Sequence, residues 1–520
     1  MTAAVLQARH RWRAEQLWPE LLAGSLLLLS WGPVLHADVS HDIAWQLWLG
    51  RQMVHGAGLY SSLSEVNPPL WFWAGAGVVR LAELLGLAPA SVLFGAFLAG
   101  TALSFALLAR LIRELAPARR AWIYGVFGLV TVVYLLREYG QREQWTLLAA
   151  LPYAALIARR AEQRAVSNRL AAGVALFAAT GFALKPYFAL APLLLEGWLF
   201  LAARRAWRPW RPEWFVLGLG ALSYAAAVAL FAPAFFTVSL PMDRLAYGAY
   251  DLPFGEMLTT EFAPTAVFAA IGAMLLVPFR SRLTAALLTA GAAFAGGYFV
   301  QAKGWFYQSI PATGCLLMAI AAEAPSLRWS DQRLRGRLGA AAWGLAFLTP
   351  ALIVASLGVN YANRYRNRTL AALSDLRPGQ AVMAFSARST IIWPMVEARG
   401  LVWPSRYYTF WMLPAVAADR ASGRPSPALA RLATTIQRQT LQDLSCRPPV
   451  RILLHDPQAE ARDRKMFRNP GFDYLAFFRE EPRLAALLAH YRPSVRGGWR
   501  VLDLVDPNGI RPVGPCRTIY

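Results

Sequence analysis

The chain has 520 residues, 57% of them hydrophobic, with a mean hydropathy of +0.36 and a formal net charge of +22. A soluble domain has no need of so much apolar sequence. Runs of about 18–22 apolar residues recur, each long enough to cross about 30 Å of hydrocarbon as a helix, so the chain reads as a polytopic membrane protein. The charge does not imply nucleic acid. Most arginines sit in short loops between apolar runs, the positive-inside pattern, where they meet an anionic cytoplasmic leaflet.

Arg9, Arg11 and Arg13 put the N-terminus in the cytoplasm. A first span, 17–35, lacks the small-x-small cleavage site of a signal peptide. It exits to HADVSHDIAWQLWLGRQM, which holds Asp38, His41, Asp42 and Arg51, and then to EVNPPLWFW. Residues 68–87 are apolar enough to cross, but a crossing there would put Arg110, Arg113, Arg119 and Arg120 outside. They read instead as an interfacial helix, opening on proline, with Trp71 and Trp73 at headgroup level.

Spans two to eleven follow at about 90–110, 120–137, 145–158, 170–184, 187–202, 214–236, 264–279, 283–300, 305–322 and 339–358. With eleven crossings every dense arginine cluster between spans lies inside, and the C-terminus lies outside. Gly75–Gly77 and Gly218–Gly220 fall in apolar helices, where packing is their role. From Asn360 onward charge and proline rise. The β-like runs 381–386, 450–456 and 499–505 alternate with helical patterns such as 483–491, the signature of a small α/β domain.

The expected fold is thus mostly α: a helical bundle of about eleven transmembrane helices over 1–358, with an outer loop and interfacial helix at 37–88. A C-terminal extracytoplasmic α/β domain follows over 359–520. Cys315 lies in a span. Cys446 and Cys516 share the C-terminal domain and are able to pair if it lies in an oxidising compartment.

The polar clusters of interest share the outer side: Asp38, His41, Asp42 and Arg51; Arg137, Glu138, Arg142 and Glu143; Lys185; Lys303 and Tyr307. Of the 52 lysines and arginines, only Lys185, Lys303 and Lys465 are lysine. Lys185 and Lys303 both fall at outer span ends, and a lysine is a compact point charge that suits a phosphate. Each cluster also has an ordinary reading, as loop solvation, surface pairing or snorkelling; their common side favours the functional one. A lipid-phosphate sugar donor needs cations for its leaving phosphate, and Lys185, Lys303, Arg51 and Arg142 are candidates. The acceptor hydroxyl needs a carboxylate base, and Asp42 is the best placed. Replacing either lysine by alanine is then expected to weaken donor binding with little effect on stability.

An acid just after the first span, an outer loop opening on Pro-Pro-Leu, and a second acid after the third span resemble glycosyltransferases of the GT-C fold. The similar branch includes protein O-mannosyltransferases and the lipid A aminoarabinose transferase. The resemblance covers about 10–358. It implies a polyprenyl-phosphate sugar donor, transfer on the outer face of a bacterial inner membrane, and an envelope glycan, lipid or protein as acceptor. It implies Asp42 as first acid and Glu143, in GQREQW, as second, orienting the acceptor or Arg142. Lys185-Pro186 and the KGWFYQ stretch match the family's lipid-phosphate contacts. Asp38, His41, Glu138 and Tyr307 complete the expected substrate contacts. Family members commonly carry Asp-Glu where this chain has Asp42-Ile43, which leaves a divalent metal requirement open. The rival reading, a transporter or flippase of a lipid-linked saccharide, requires charges deep within spans and helices broken at the midplane. A third, an inactive scaffold, leaves the retained charges unexplained.

Overall fold

The computed structural model describes residues 18–21, 23–25, 27–29, 31–32, 39–132, 135, 138–260, 281–323 and 365–516, with backbone alone at 205 and 258–260. Asp38, Arg137 and the expected eighth and eleventh spans lie outside these residues. The described helices, in chain order, include α1 (His41–Val54), α2 (Leu70–Leu85), α3 (Pro89–Ile112), α4 (Pro117–Thr131), α5 (Arg142–Ala161), α6 (Asn168–Phe182), α7 (Leu190–Ala203), α8 (Pro212–Phe231), α9 (Arg282–Gln301) and α10 (Ile310–Glu323). The expected spans two to seven, nine and ten fall on α3 to α10 in order. Four helical segments, Pro89–Ile112, Pro186–Ala203, Pro212–Phe231 and Arg282–Gln301, are long and apolar enough to cross a membrane.

The chain packs as two compact units. One holds the described residues of Met1–Asp38, Ala90–Ala227 and Leu252–Leu357; the other holds those of Val39–Pro89, Val228–Asp251 and Gly358–Tyr520.

In the first unit α5 is the central helix, buried along nearly its whole length. Its neighbours approach it through small residues, as apolar helices do when burial alone gives no preference. A Cβ on Gly181 of α6 would stand 2.7 Å from the Ala149 Cβ, and one on Gly100 of α3 2.6 Å from the Trp145 ring. Gly314 of α10 lies as tightly against Leu147. Helix α9 packs on α10, α5 and α7.

In the second unit α1 crosses α2 where Gly50 meets Gly75; a Cβ on Gly50 would sit 2.8 Å from the Gly75 backbone. Helix α2 realises the expected helix at 68–87 and stops at Gly86, whose φ of 64° gives a left-handed cap. Trp71 does not face outward from the protein. It is 6% exposed and packs inward with Phe72, Gly75, Val79 and Ala82, one helical face. Leu81, Leu84 and Leu85 form the exposed side instead.

The C-terminal part of this unit carries a four-stranded sheet, β1 (Val382–Phe385), β2 (Arg451–Leu454), β3 (Tyr491–Arg496) and β4 (Trp499–Leu504), in the order β1-β2-β4-β3. β1 and β2 are parallel and wholly buried, as apolar runs covered on both faces should be. β3 and β4 form a hairpin turned by Gly497 and Gly498, both at positive φ. The outer loop of α1 and α2 belongs here because Ser64 pairs with Tyr407, its N–H donating to the Arg406 carbonyl at 2.9 Å.

Cys446 ends helix α12 (Pro427–Cys446), which follows α11 (Leu413–Ala421), and is disulfide-bonded to Cys516 with Cα atoms 5.4 Å apart. The bond closes a loop of 70 residues. A crosslink of that span stabilises by about 2–4 kcal/mol, mainly by restricting the unfolded chain. Cys446→Ser should therefore lower the stability of the C-terminal part by about that amount. Non-reducing peptide mapping of the unmutated protein should recover the linked pair; two free thiols would refute the pairing.

Candidate functional site

In the first unit the site residues gather at the N-terminal end of α5. The preceding turn is fixed by Gly140, at φ 95°, whose N–H donates to Gln144 Oε1 at 2.8 Å, while Gln144 Nε2 donates to the Thr131 carbonyl at 2.9 Å. This sets Arg142 and Glu143 in the first helical turn, where the helix dipole favours a carboxylate. Glu143 is fully buried, with Arg142 Nε 3.6 Å from its Oε1. Glu138 accepts from Gln141 Nε2 at 3.0 Å.

Lys185 reaches the same carboxylate. Pro186 follows it and forces an extended backbone, φ −143° and ψ 144°, which ends α6 and starts a 3-10 turn at Pro186–Ala189. From there Lys185 Nζ stands 2.7 Å from Glu143 Oε1 and donates to Gln301 Oε1 at 3.3 Å. It also lies 5.6 Å over the Tyr307 ring. Gln308 Nε2 donates to the same Gln301 oxygen at 3.0 Å.

Lys303 lies in the turn between Gln301 and Tyr307 and is 6% exposed. That turn is held tightly: Ala302 and Gly304 both have positive φ, and the Ala302 carbonyl accepts from Leu252 N–H at 2.7 Å. The structure therefore brings Arg142, Glu143, Lys185 and Tyr307 together, with Glu138 and Lys303 on the adjoining turns. Lys185 is no snorkelling lysine. It is buried, and its charge is matched by Glu143.

In the second unit Asp42 sits in the first turn of α1. His41 Nε2 is 3.6 Å from Asp42 Oδ1, and the Tyr408 hydroxyl donates to that oxygen at 3.2 Å. Burial first, then the Asp42 charge, push the Tyr408 phenol well above its ordinary value, so it remains a donor. The Asp42 side chain is 21% exposed, enough to meet a substrate. Trp45, one turn on, stacks on Tyr408 with centroids 4.9 Å apart.

Arg51, in the last turn of α1, is held by Glu397 through two bonds of 3.0 and 3.1 Å. Those two bonds leave three of its five N–H donors for another acceptor. Two residues not singled out from the sequence belong to this region, Tyr408 and Glu65. Glu65 accepts from Trp45 Nε1 at 2.9 Å and from Val66 N, Asn67 N and Asn67 Nδ2, so its carboxylate shapes the loop before Pro68. Its only sequence signal was its place in EVNPPLWFW.

Another polar cluster follows the parallel strands. Ser386 after β1 and His455 after β2 lie side by side, Oγ to Nδ1 3.3 Å, with His455 Nε2 3.4 Å from Asp463. Arg388 holds Asp463 at 2.8 Å. Ser386 is 1% exposed and offers no open nucleophile. Burial, then Arg388 and Arg368, pull the imidazole down to about 3, so it is neutral. This is a buried polar network of the core rather than an open site.

No three His, Cys, Asp or Glu side chains converge to hold a metal ion among the described residues.

No family model and no curated protein matches the sequence. Solved structures do match by fold. ArnT from Cupriavidus metallidurans bound to undecaprenyl phosphate aligns with a TM-score of 0.51 at 12% identity, over 95% of this chain and 99% of that one. The apo form of the same protein aligns with a TM-score of 0.49 at 12% identity, over 93% and 97%. Over nearly its whole length, then, this chain shares the polytopic helical membrane fold of that ArnT structure.

Proposed function

We propose that this protein is an integral membrane glycosyltransferase that moves a sugar from a polyprenyl phosphate to an acceptor on the periplasmic face of the inner membrane. The observation that carries the reading is the buried cluster at the start of α5. There two cations, Lys185 and Arg142, share one carboxylate, Glu143, with a third cation, Lys303, on the adjoining turn. Lysine and arginine donors gathered at one buried helix end suit an anion, and a phosphate leaving group is one. The fold neighbour holds undecaprenyl phosphate, a ligand of that chemistry.

In the reaction the acceptor oxygen bonds to the anomeric carbon as the carbon–oxygen bond to phosphate breaks. The electron pair leaves with the phosphate, where Lys185, Lys303 and Arg142 stabilise it. The acceptor proton passes to Asp42. Tyr408 fixes the Asp42 oxygen it donates to, His41 stands beside the same oxygen, and Glu143 orients Arg142 and Lys185. Tyr307 supports the Lys185 ammonium, Glu138 fixes the adjoining turn through Gln141, and Arg51, paired with Glu397, fastens the far end of α1. Hydrolysis by stray water is limited because the cationic cluster is buried.

A transporter would carry its charges at mid-span. Here Glu143 and Arg142 sit at the helix end, which favours the enzyme. Mass spectrometry of envelope glycolipids and polysaccharide, with and without the gene, should show one sugar substituent missing in the deletion. An unchanged profile would sink the transferase reading. Reporter fusions near Arg160 and Ser405 should read cytoplasm and periplasm respectively; a cytoplasmic signal at Ser405 would remove the outer-face assignment.

A further inference from the structure

Helix α5 carries a second charged region at its other end. Glu143 and Arg159 stand about 24 Å apart along its axis. Beside Arg159 the first unit encloses a cavity of about 320 Å³. Arg119, Arg159, Arg164 and Arg282 line it, with Glu114, Glu162 and Glu323.

The arginines are not equally occupied. Arg159 is 3.1 Å from Glu114, and Arg164 pairs with Glu114 and, at 3.1 Å, with Glu162. Arg119 donates its Nε to the Ala322 carbonyl at 2.6 Å, but its Nη2 stands 4.0 Å from Glu323. Thr284 already donates to that same Glu323 oxygen at 2.8 Å. Arg119 Nη2 is buried and has no hydrogen-bond partner among the described residues. The Arg282 side chain, exposed at the rim, makes no ion pair or hydrogen bond with a described residue. Leu111, Leu115 and Leu283 give the cavity an apolar wall.

A buried guanidinium donor left without an acceptor is costly, and an anionic oxygen satisfies it best. The cavity has the volume of a headgroup rather than of acyl chains, and its apolar wall suits the glycerol end. The arginine pattern puts this end of the bundle at the cytoplasmic leaflet, where anionic lipids are concentrated. We propose that the cavity binds the phosphate of an anionic phospholipid, between Arg119 and Arg282. The inference rests on the membrane reading and is independent of the transfer reaction.

Native mass spectrometry of the delipidated full chain tests it, with phosphatidylglycerol, chain-matched phosphatidylcholine and inorganic phosphate as probes. The unmutated protein should retain phosphatidylglycerol about tenfold more tightly than phosphatidylcholine, because both offer the phosphate oxygens but the choline cation is repelled by the lining arginines. Arg119→Gln and Arg282→Gln should each remove most of that preference, and Arg110→Gln, outside the cavity lining, should not. Arg282 is exposed, so its variant keeps the test valid if Arg119→Gln fails to fold. Unchanged preference in Arg282→Gln, equal retention of the two lipids, or displacement of the lipid by equimolar inorganic phosphate would overturn the proposal.

Discussion

Asp42→Asn should slow sugar transfer by about 10²–10⁴-fold, the usual worth of a positioned general base. The protein should stay folded. Losing the charge in the first helical turn costs only about 0.3–1 kcal/mol, and the asparagine side-chain oxygen still accepts from Tyr408. Donor binding should change little, because the phosphate cations Lys185, Lys303 and Arg142 are untouched. The decisive measurement is single-turnover transfer by the purified variant beside its affinity for a donor analogue. Transfer at near the unmutated rate would remove Asp42 from the base role. Equal losses in rate and donor affinity would make it a binding residue instead.

Lys185→Ala should cost both donor binding and stability. The sequence alone gave no reason to expect the second effect, and the structure supplies it. Lys185 is 5% exposed and its ammonium is 2.7 Å from the fully buried Glu143. Removing one partner of a buried ion pair leaves the other charge uncompensated and costs about 3–5 kcal/mol. Glu143→Gln on the same background should recover much of that stability, because a neutral amide no longer needs the cation. It should not recover donor affinity, because the phosphate has still lost its ammonium. Thermal unfolding and donor titration on both variants separate the two roles. Donor affinity restored in the double variant would reduce Lys185 to a counter-ion for Glu143. Arginine at this position should not rescue fully, since a broad planar fork does not fit a pocket built for a point charge.

The helical scaffold was legible because each element carries its signal locally. Apolar runs bounded by arginines located α3 to α10, and Pro186 marked the turn at Lys185. Two strands with continuous apolar cores, β1 and β2, and the amphipathic β4 were equally plain. β3 was not. Its sequence, YRPSVR, is largely exposed and holds Pro493, which lowers its strand signal. The hairpin cue beside it, Gly497-Gly498 followed by Trp499, is present in the sequence. Trp71 was placed at a headgroup surface because tryptophan favours that position generally. Which face of α2 turns inward depended on Gly75 meeting Gly50, and no local pattern states that contact.

By itself the sequence determined the mostly α membrane class and the residue types available for phosphate and proton chemistry. It also singled out a cysteine pair, Cys446 and Cys516, that the structure joins. Those properties depend on composition, on charge counted between spans, or on spacing within a few turns. Only the tertiary structure decided the partners. Tyr408 meets Asp42 across 366 residues, Glu397 meets Arg51 across 346, and Glu143 and Lys185 lie on different helices. An ion pair or hydrogen bond requires proximity of a few ångströms, and proximity between distant segments is set by packing of helices through residues such as Gly181 and Gly314. That packing turns a lysine that reads as a free phosphate ligand into one buried against a carboxylate, and pairs the arginine candidate Arg51 with Glu397.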